Sequence, residues 1–262
     1  MPDSYLVEFG TMADDGQVFG LGLLGNTFYY SNDWGNSFSQ LPYDEGIKIT
    51  GFQYLGNNEL IAMKIEGFLP FNAFNVISFS EDSGQNWVHN ELPEEYYLRA
   101  SGFHFFNANE GFIVGYEGFL IKTEDGGQTW EEITYDDERI VRNIHFVDEQ
   151  TGWAVGDDGL VLSTNDGGST WLVTNCGYHE DLISISALDA ENCWLGNGDG
   201  IYLELNLNAE SSCSLVNVSD QDLEEVHLLV SPNPTSAMVN ICLLYTSPSP
   251  RDATLSRMPS SA

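Results

Sequence analysis

Four aspartates recur in one short pattern, and acids at such regular spacing could serve either chemistry or structure. Asp33, Asp82, Asp125 and Asp166 each stand in the box [ST]-x-D-x-G-x-[STN]-[WF], and successive boxes are 49, 43 and 41 residues apart. A pair of carboxylates on opposite sides of a sugar is what glycoside hydrolysis requires. An acid that recurs once per repeat on a peripheral turn cannot converge with its copies on one substrate. We therefore interpret the four aspartates as structural.

Turn chemistry explains why the box has this composition. An Asp side chain can accept a hydrogen bond from the backbone N–H two residues on, the following Gly supplies a positive φ, and the Trp or Phe packs against the sheet. The box residues assigned to these roles are Asp33, Gly35, Phe38, Asp82, Gly84, Trp87, Asp125, Gly127, Trp130, Asp166, Gly168 and Trp171.

Other residues that could carry chemistry do not form a recognisable set. The sequence contains no GxSxG, no HExxH and no phosphate-binding glycine loop. His104 and His145 occupy equivalent repeat positions, which predicts packing rather than metal binding. Of the four cysteines, two among Cys176, Cys193 and Cys213 could pair, or they could remain buried thiols. We expect no catalysis, no cofactor and no metal.

The charge balance limits the possible partners. The chain has 40 acidic and 8 basic residues, a net charge of −32, with a hydrophobic fraction of 42% that suits a folded protein. Such a surface repels nucleic acid and anionic lipid, and no apolar run is long enough to span a membrane. Met1-Pro2-Asp3 does not begin a signal peptide, so an exported form is expected to have lost its leader.

The boxes belong to a longer repeat that must position them. Five units are visible, the fifth (residues 191–206) without a box, and each indicates four short strands. In the fourth unit these strands are NIHFVD, WAVG, LVLST and TWLVT. Four strands in about 40–45 residues are typical of a propeller blade. The predicted fold is all-β, a β-propeller of four-stranded blades over residues 1–207, with five units that could be part of a six- to eight-bladed ring.

This pattern resembles the Asp-box (BNR) propellers over about residues 5–205. The stretch GWAVGDDGLVLSTNDGGSTW (152–171) is most similar to the photosystem II assembly factors, and sialidases share the box. A sialidase implies three arginines drawn from separate blades. Here the candidates are Arg99, Arg139 and Arg142, two of them in one unit, so that activity is not expected.

Propeller geometry predicts where a ligand would bind. Turns between the second and third strands should share one face with the connections between blades, and the boxes should lie on the opposite face. The candidate binding face comprises Tyr96, Tyr97, Arg99, Tyr116, Glu117, Asp136, Asp137, Asp157, Asp158 and Asp199. Repeat position places five of the six tryptophans, including Trp194, in the core between blades. Trp34, inside a box, is expected to be exposed.

The C-terminal part differs from the repeats. Residues 208–225 are predicted to be a linker, and residues 226–241 to begin a small β-domain. Pro232, Asn233 and Pro234 resemble the start of the C-terminal sorting domain of type IX secretion in Bacteroidetes-type bacteria. Residues 242–262 are Ser/Pro-rich and resemble translated adapter sequence or a disordered tail.

Together these observations favour a secreted or cell-surface propeller that binds a protein or glycan and uses the secretion machinery through its C-terminal segment. An assembly-factor-like scaffold and an Asp-box glycoside hydrolase are the alternatives.

Overall fold

The computed structural model describes residues 7–12, 16–22, 27–41, 48–67, 73–175, 177–190, 192–198, 202–207 and 213–217. These residues form five four-stranded antiparallel sheets, each with strands in chain order, so the predicted all-β propeller architecture is confirmed. Among them there is no helix long and apolar enough to cross a membrane. Asp199 and the segment Pro232–Pro234 lie outside the described residues.

Each sheet is one blade, numbered 1 to 5 along the chain. Blade 1 contains β1 (Val7–Met12), β2 (Val18–Gly22), β3 (Phe28–Ser31) and β4 (Ser39–Gln40). Blade 2 contains β5 (Lys48–Gly56), β6 (Glu59–Glu66), β7 (Phe74–Ser80) and β8 (Val88–Glu91). Blade 3 contains β9 (Ala100–Phe105), β10 (Gly111–Gly115), β11 (Leu120–Thr123) and β12 (Glu131–Glu132).

The last two blades follow the same plan. Blade 4 contains β13 (Val141–Phe146), β14 (Gly152–Gly156), β15 (Leu160–Thr164) and β16 (Leu172–Asn175). Blade 5 contains β17 (Leu182–Ala187), β18 (Cys193–Asn197), β19 (Tyr202–Leu207) and β20 (Cys213–Asn217). Two single-turn 3-10 segments, Glu94–Tyr96 and Asp157–Gly159, lie in connections.

Strand β20 corrects the predicted domain boundary. The sequence predicts a linker over residues 208–225, but residues 213–217 pair with β19, with Cys213 opposite Leu207 and Asn217 opposite Leu203, and complete the fifth sheet. Without a box in this unit, the sequence offered no marker for its fourth strand. The propeller therefore extends beyond residue 207.

Apolar side chains fill the spaces between successive blades. The buried residues of each blade's second strand alternate between the two sides of the sheet. In β6 of blade 2, for example, Ala62 packs towards blade 1 and Met63 packs towards blade 3. In the core between blades 3 and 4, Phe112 lies perpendicular to Trp171, with ring centroids 6.4 Å apart. Trp153 fills the core between blades 4 and 5.

Trp194 does not share this environment, which corrects its predicted position in the core. It occupies the repeat position of Phe112 and Trp153, whose exposures are 0% and 2%, yet Trp194 is 38% exposed. The difference arises because those residues face the following blade, whereas among the described residues no blade follows blade 5.

The boxes close the turns after the third strands, although by a different hydrogen bond from the one expected. In the box of blade 4, Thr170 donates from its N–H to Asp166 Oδ1 at 2.9 Å, four residues on rather than two. The Thr164 hydroxyl accepts from the Gly168 N–H at 3.0 Å and donates to Asp166 Oδ1 at 2.8 Å. The leading Ser or Thr is thus part of the turn.

Candidate functional site

The structure brings the predicted loops together into one continuous surface. We define the loop surface as residues 92–99, 116–119, 133–140, 157–159 and 177–181. Backbone hydrogen bonds join its segments: Tyr116 N to Arg99 O at 2.9 Å, Gly118 N to Arg139 O at 3.1 Å, and Gly159 N to Glu180 O at 2.9 Å. In blades 3 and 4, where this part of the chain is described, the turn between strands 2 and 3 is therefore tied to the flanking connections between blades.

Arginines reinforce these ties instead of projecting into solvent. Arg139 donates to Asp137 at 2.7 Å and to the Asp158 carbonyl at 2.9 Å. The hydrogen bond from the Arg139 guanidinium holds the pKa of the Asp137 carboxyl below its usual range. Arg142 binds Asp157 and, at 3.2 Å, Asp181.

Arg99 was predicted to contact a ligand, but its guanidinium is already engaged within the protein. It lies 4.8 Å from the centre of the Phe119 ring and donates weakly to the carbonyls of Tyr116 and Glu117 at 3.5 and 3.4 Å. Nothing in the sequence indicates this role, since the partners are two carbonyls and a ring on a neighbouring turn.

The tyrosines of the loop surface divide into two kinds. Tyr96 packs on Phe119 with centroids 5.3 Å apart, and Tyr97 packs on Phe74 at 5.4 Å, so both support the fold. Burial, with nearby carboxylates adding to it, raises the pKa of both phenols. Tyr116, by contrast, is 46% exposed at the tip of its turn.

What the loop surface presents to solvent is therefore mainly acidic. Its exposed carboxylates are Glu94, Glu95, Glu117, Asp136, Glu138, Asp158, Glu180 and Asp181. Exposed Tyr116 and Leu98 lie among them. Since the three arginines are held by internal partners, the surface suits a cationic partner with some apolar character.

The histidines and the described cysteine behave as packing residues. His104 and His145 meet with ring centroids 5.6 Å apart, and burial together with the nearby His145 lowers the pKa of His104 to about 3. Cys193 is a free buried thiol, and burial raises its pKa to about 12. Within the described part of the chain, no three His, Cys, Asp or Glu side chains form a group that could hold a metal.

Fold, boxes and loop surface together define an Asp-box β-propeller. The model of the family described as "Photosynthesis system II assembly factor YCF48" matches residues 63–139 and 130–221. Because these matches span more than half of the sequence, the chain belongs to that family.

Solved structures share this fold at low sequence identity. "YCF48 bound to D1 peptide" has a TM-score of 0.56 and 19% identity, covering 82% of this chain and 67% of that chain. The GH74 enzyme of Niastella koreensis has a TM-score of 0.61 and 16% identity, over 82% of this chain but only 37% of the enzyme. The Nidogen/Laminin complex has a TM-score of 0.59 and 10% identity, over 80% and 76%. A comparison with curated protein sequences gives no match.

Proposed function

We propose that this protein is a non-catalytic propeller scaffold that binds a basic polypeptide through its loop surface. The observation that carries the proposal is the exposed row of carboxylates, from Glu94 to Asp181, on a surface whose arginines are held by internal contacts. Membership of the assembly-factor family supports a scaffold. The related YCF48 was solved with a peptide bound, which supports a polypeptide as the ligand.

The mechanism proposed is electrostatic attraction followed by limited apolar contact. Carboxylates at the surface speed the approach of a cationic segment and select against anionic ones. Tyr116 and Leu98 then offer apolar area on which the partner's side chains pack. The backbone and arginine ties between loops keep this surface in place without the partner, which reduces the ordering cost of binding.

A charge-neutralising variant tests this proposal. Glu94→Gln, Asp136→Asn and Asp158→Asn in one chain remove three exposed charges from the loop surface, while Tyr96, Tyr97 and Asp137 stay because they support the fold. Fluorescence anisotropy with a labelled Lys- and Tyr-rich peptide should show saturable binding to the natural chain. We expect the triple variant to bind at least about tenfold more weakly, and binding to fall as salt rises.

A matched variant controls for net charge. Glu81→Gln, Glu131→Gln and Glu149→Gln remove three exposed charges away from the loop surface. If this control weakens binding as much as the first variant does, the peptide is responding only to total charge and the proposed surface is wrong.

We also propose that the protein is exported. The support is the resemblance of the segment Pro232-Asn233-Pro234 to type IX sorting domains. Expression of the full-length gene in a bacterium with that secretion system should place the protein on the surface or in the medium. Retention of the protein in the cell, under conditions where a known substrate is exported, would contradict the proposal.

A further inference from the structure

The boxes differ at the residue between Asp and Gly, and the difference is confined to blades 1 and 2. Boxes 3 and 4 have Gly126 and Gly167 there, with φ of +72° and +71°. Box 1 has Trp34 and box 2 has Ser83, at φ of 60° and 59°. A side chain in this left-handed region is strained, and such residues are concentrated at functional sites.

An open groove of about 460 Å³ lies beside the strained Ser83. Its lining includes Tyr30 from blade 1 and Asn58, Glu81, Ser83 and Gln85 from blade 2. The volume is within the range of small-ligand sites. Since the groove lies at the boxes, on the side opposite the loop surface, it is separate from the surface proposed above.

Hydrogen bonds between the blades hold the groove's polar groups in place. Gln17 Nε2 of blade 1 donates to Asn58 Oδ1 of blade 2 at 3.2 Å, and Ser83 Oγ donates to the same oxygen at 3.0 Å. The Ser83 N–H donates to the Asn58 carbonyl at 2.8 Å. Ser83 therefore contributes a hydroxyl to this network that Gly126 and Gly167 lack.

Trp34 supplies an aromatic surface at the neighbouring box. Its indole is 59% exposed, although Trp171 at the end of box 4 is only 6% exposed. The ring lies against Gly16, where a Cβ would come within 2.6 Å of Trp34 Nε1, and Gly16 directly precedes Gln17 of the network. Glycine at position 16 thus leaves room for the indole, one residue before the bridging glutamine in the chain.

We propose that this groove and Trp34 form a binding site for a neutral, hydroxyl-rich glycan. Amide and carboxylate groups together offer the donors and acceptors that sugar hydroxyls require, and an indole face covers the apolar face of a sugar ring. Glu81 and Asp82 disfavour phosphorylated, sulfated or otherwise anionic ligands.

Binding of cellotetraose and maltotetraose, followed by calorimetry and by Trp fluorescence of the full chain, tests the proposal. Saturable binding of at least one of them should change the emission of Trp34. Gln85→Ala should weaken binding about tenfold or more, whereas Gln128→Ala, the equivalent change in box 3, should leave it unchanged. Trp34→Gly should remove both binding and the fluorescence change.

The variant Ser83→Gly distinguishes a binding site from a hydrogen-bond network that only stabilises the fold. It installs the residue that boxes 3 and 4 carry, so the melting temperature should stay the same or rise while sugar binding falls. The loop-surface triple variant should bind the sugar as the natural chain does. The glycan proposal and the peptide proposal can therefore fail independently of each other. No binding of either neutral sugar, equal binding by Gln85→Ala and the natural chain, or preference for a sulfated tetrasaccharide would each overturn the assignment.

Discussion

Each box aspartate is a hydrogen-bond acceptor on which a whole turn depends. Asp166 accepts from the Thr164 hydroxyl, the Thr170 N–H and the Thr170 hydroxyl at 2.8, 2.9 and 2.6 Å. The same three kinds of bond recur around Asp125. Bonds to a carboxylate are stronger than neutral ones, so these turns are well stabilised even though their acids are near the surface.

We predict that Asp166→Ala lowers the free energy of unfolding by about 1–2 kcal/mol, because it removes a charged acceptor and leaves Thr170 without its partner. Chemical denaturation of the purified variant measures this loss. Asp136→Ala is the matched control, since Asp136 has the same charge but is an exposed residue of the loop surface. An equal effect of the two changes would show that charge and not the turn is responsible.

We also predict that the stability difference between the natural chain and Asp166→Ala depends on pH. Hydrogen bonds, first of all those from Thr170, lower the pKa of Asp166, and those from Ser37 and Ser31 lower the pKa of Asp33 to about 2. A carboxylate whose pKa is lowered by folding contributes stability that is present above the unfolded-state pKa of 3.8. This stability is lost as the pH falls through the pKa of the folded state. The stability difference between the natural chain and Asp166→Ala should therefore narrow as the pH falls below 3.8.

At the scale of strands, alternation and turn residues were sufficient to predict most of blade 4. The predicted strand LVLST coincides with Leu160–Thr164, and the other three lie within a few residues of their positions. The prediction worked because glycine- or aspartate-rich turns bound each apolar segment. It failed for Cys213–Asn217, since that unit has no box to indicate a fourth strand.

The candidate site was less predictable than the strands, for a physical reason. Repeat position indicated which turns share a face, but a side chain's partner across blades depends on distances that no pattern encodes. Arg99 thus proved to be held by two carbonyls and the Phe119 ring. Ser83 was indistinguishable from any turn residue until its left-handed backbone and its contact with Asn58 were seen.

At the scale of the whole molecule, stability comes from apolar cores shared by successive blades. The described residues hold four such cores, one between each pair of neighbours from blade 1 to blade 5. In the core between blades 3 and 4, Phe112 from the second strand of blade 3 meets Trp171 from the box of blade 4. A blade consequently buries its apolar side chains on both faces, and contributes its full stability, only when both neighbouring blades are present.

Trp194 tests this interpretation, because it has the same repeat position as Trp153 but no described blade follows it. Trp153→Gln should lower the free energy of unfolding by about 3–5 kcal/mol, since the side chain is 2% exposed in a filled core. Trp194→Gln should cost far less and should reduce self-association in size-exclusion chromatography, because it removes an exposed apolar group from the far side of blade 5. If Trp194→Gln instead destabilises the chain as strongly as Trp153→Gln, then that side is covered in solution, and the residues that cover it must belong to the same cooperative fold.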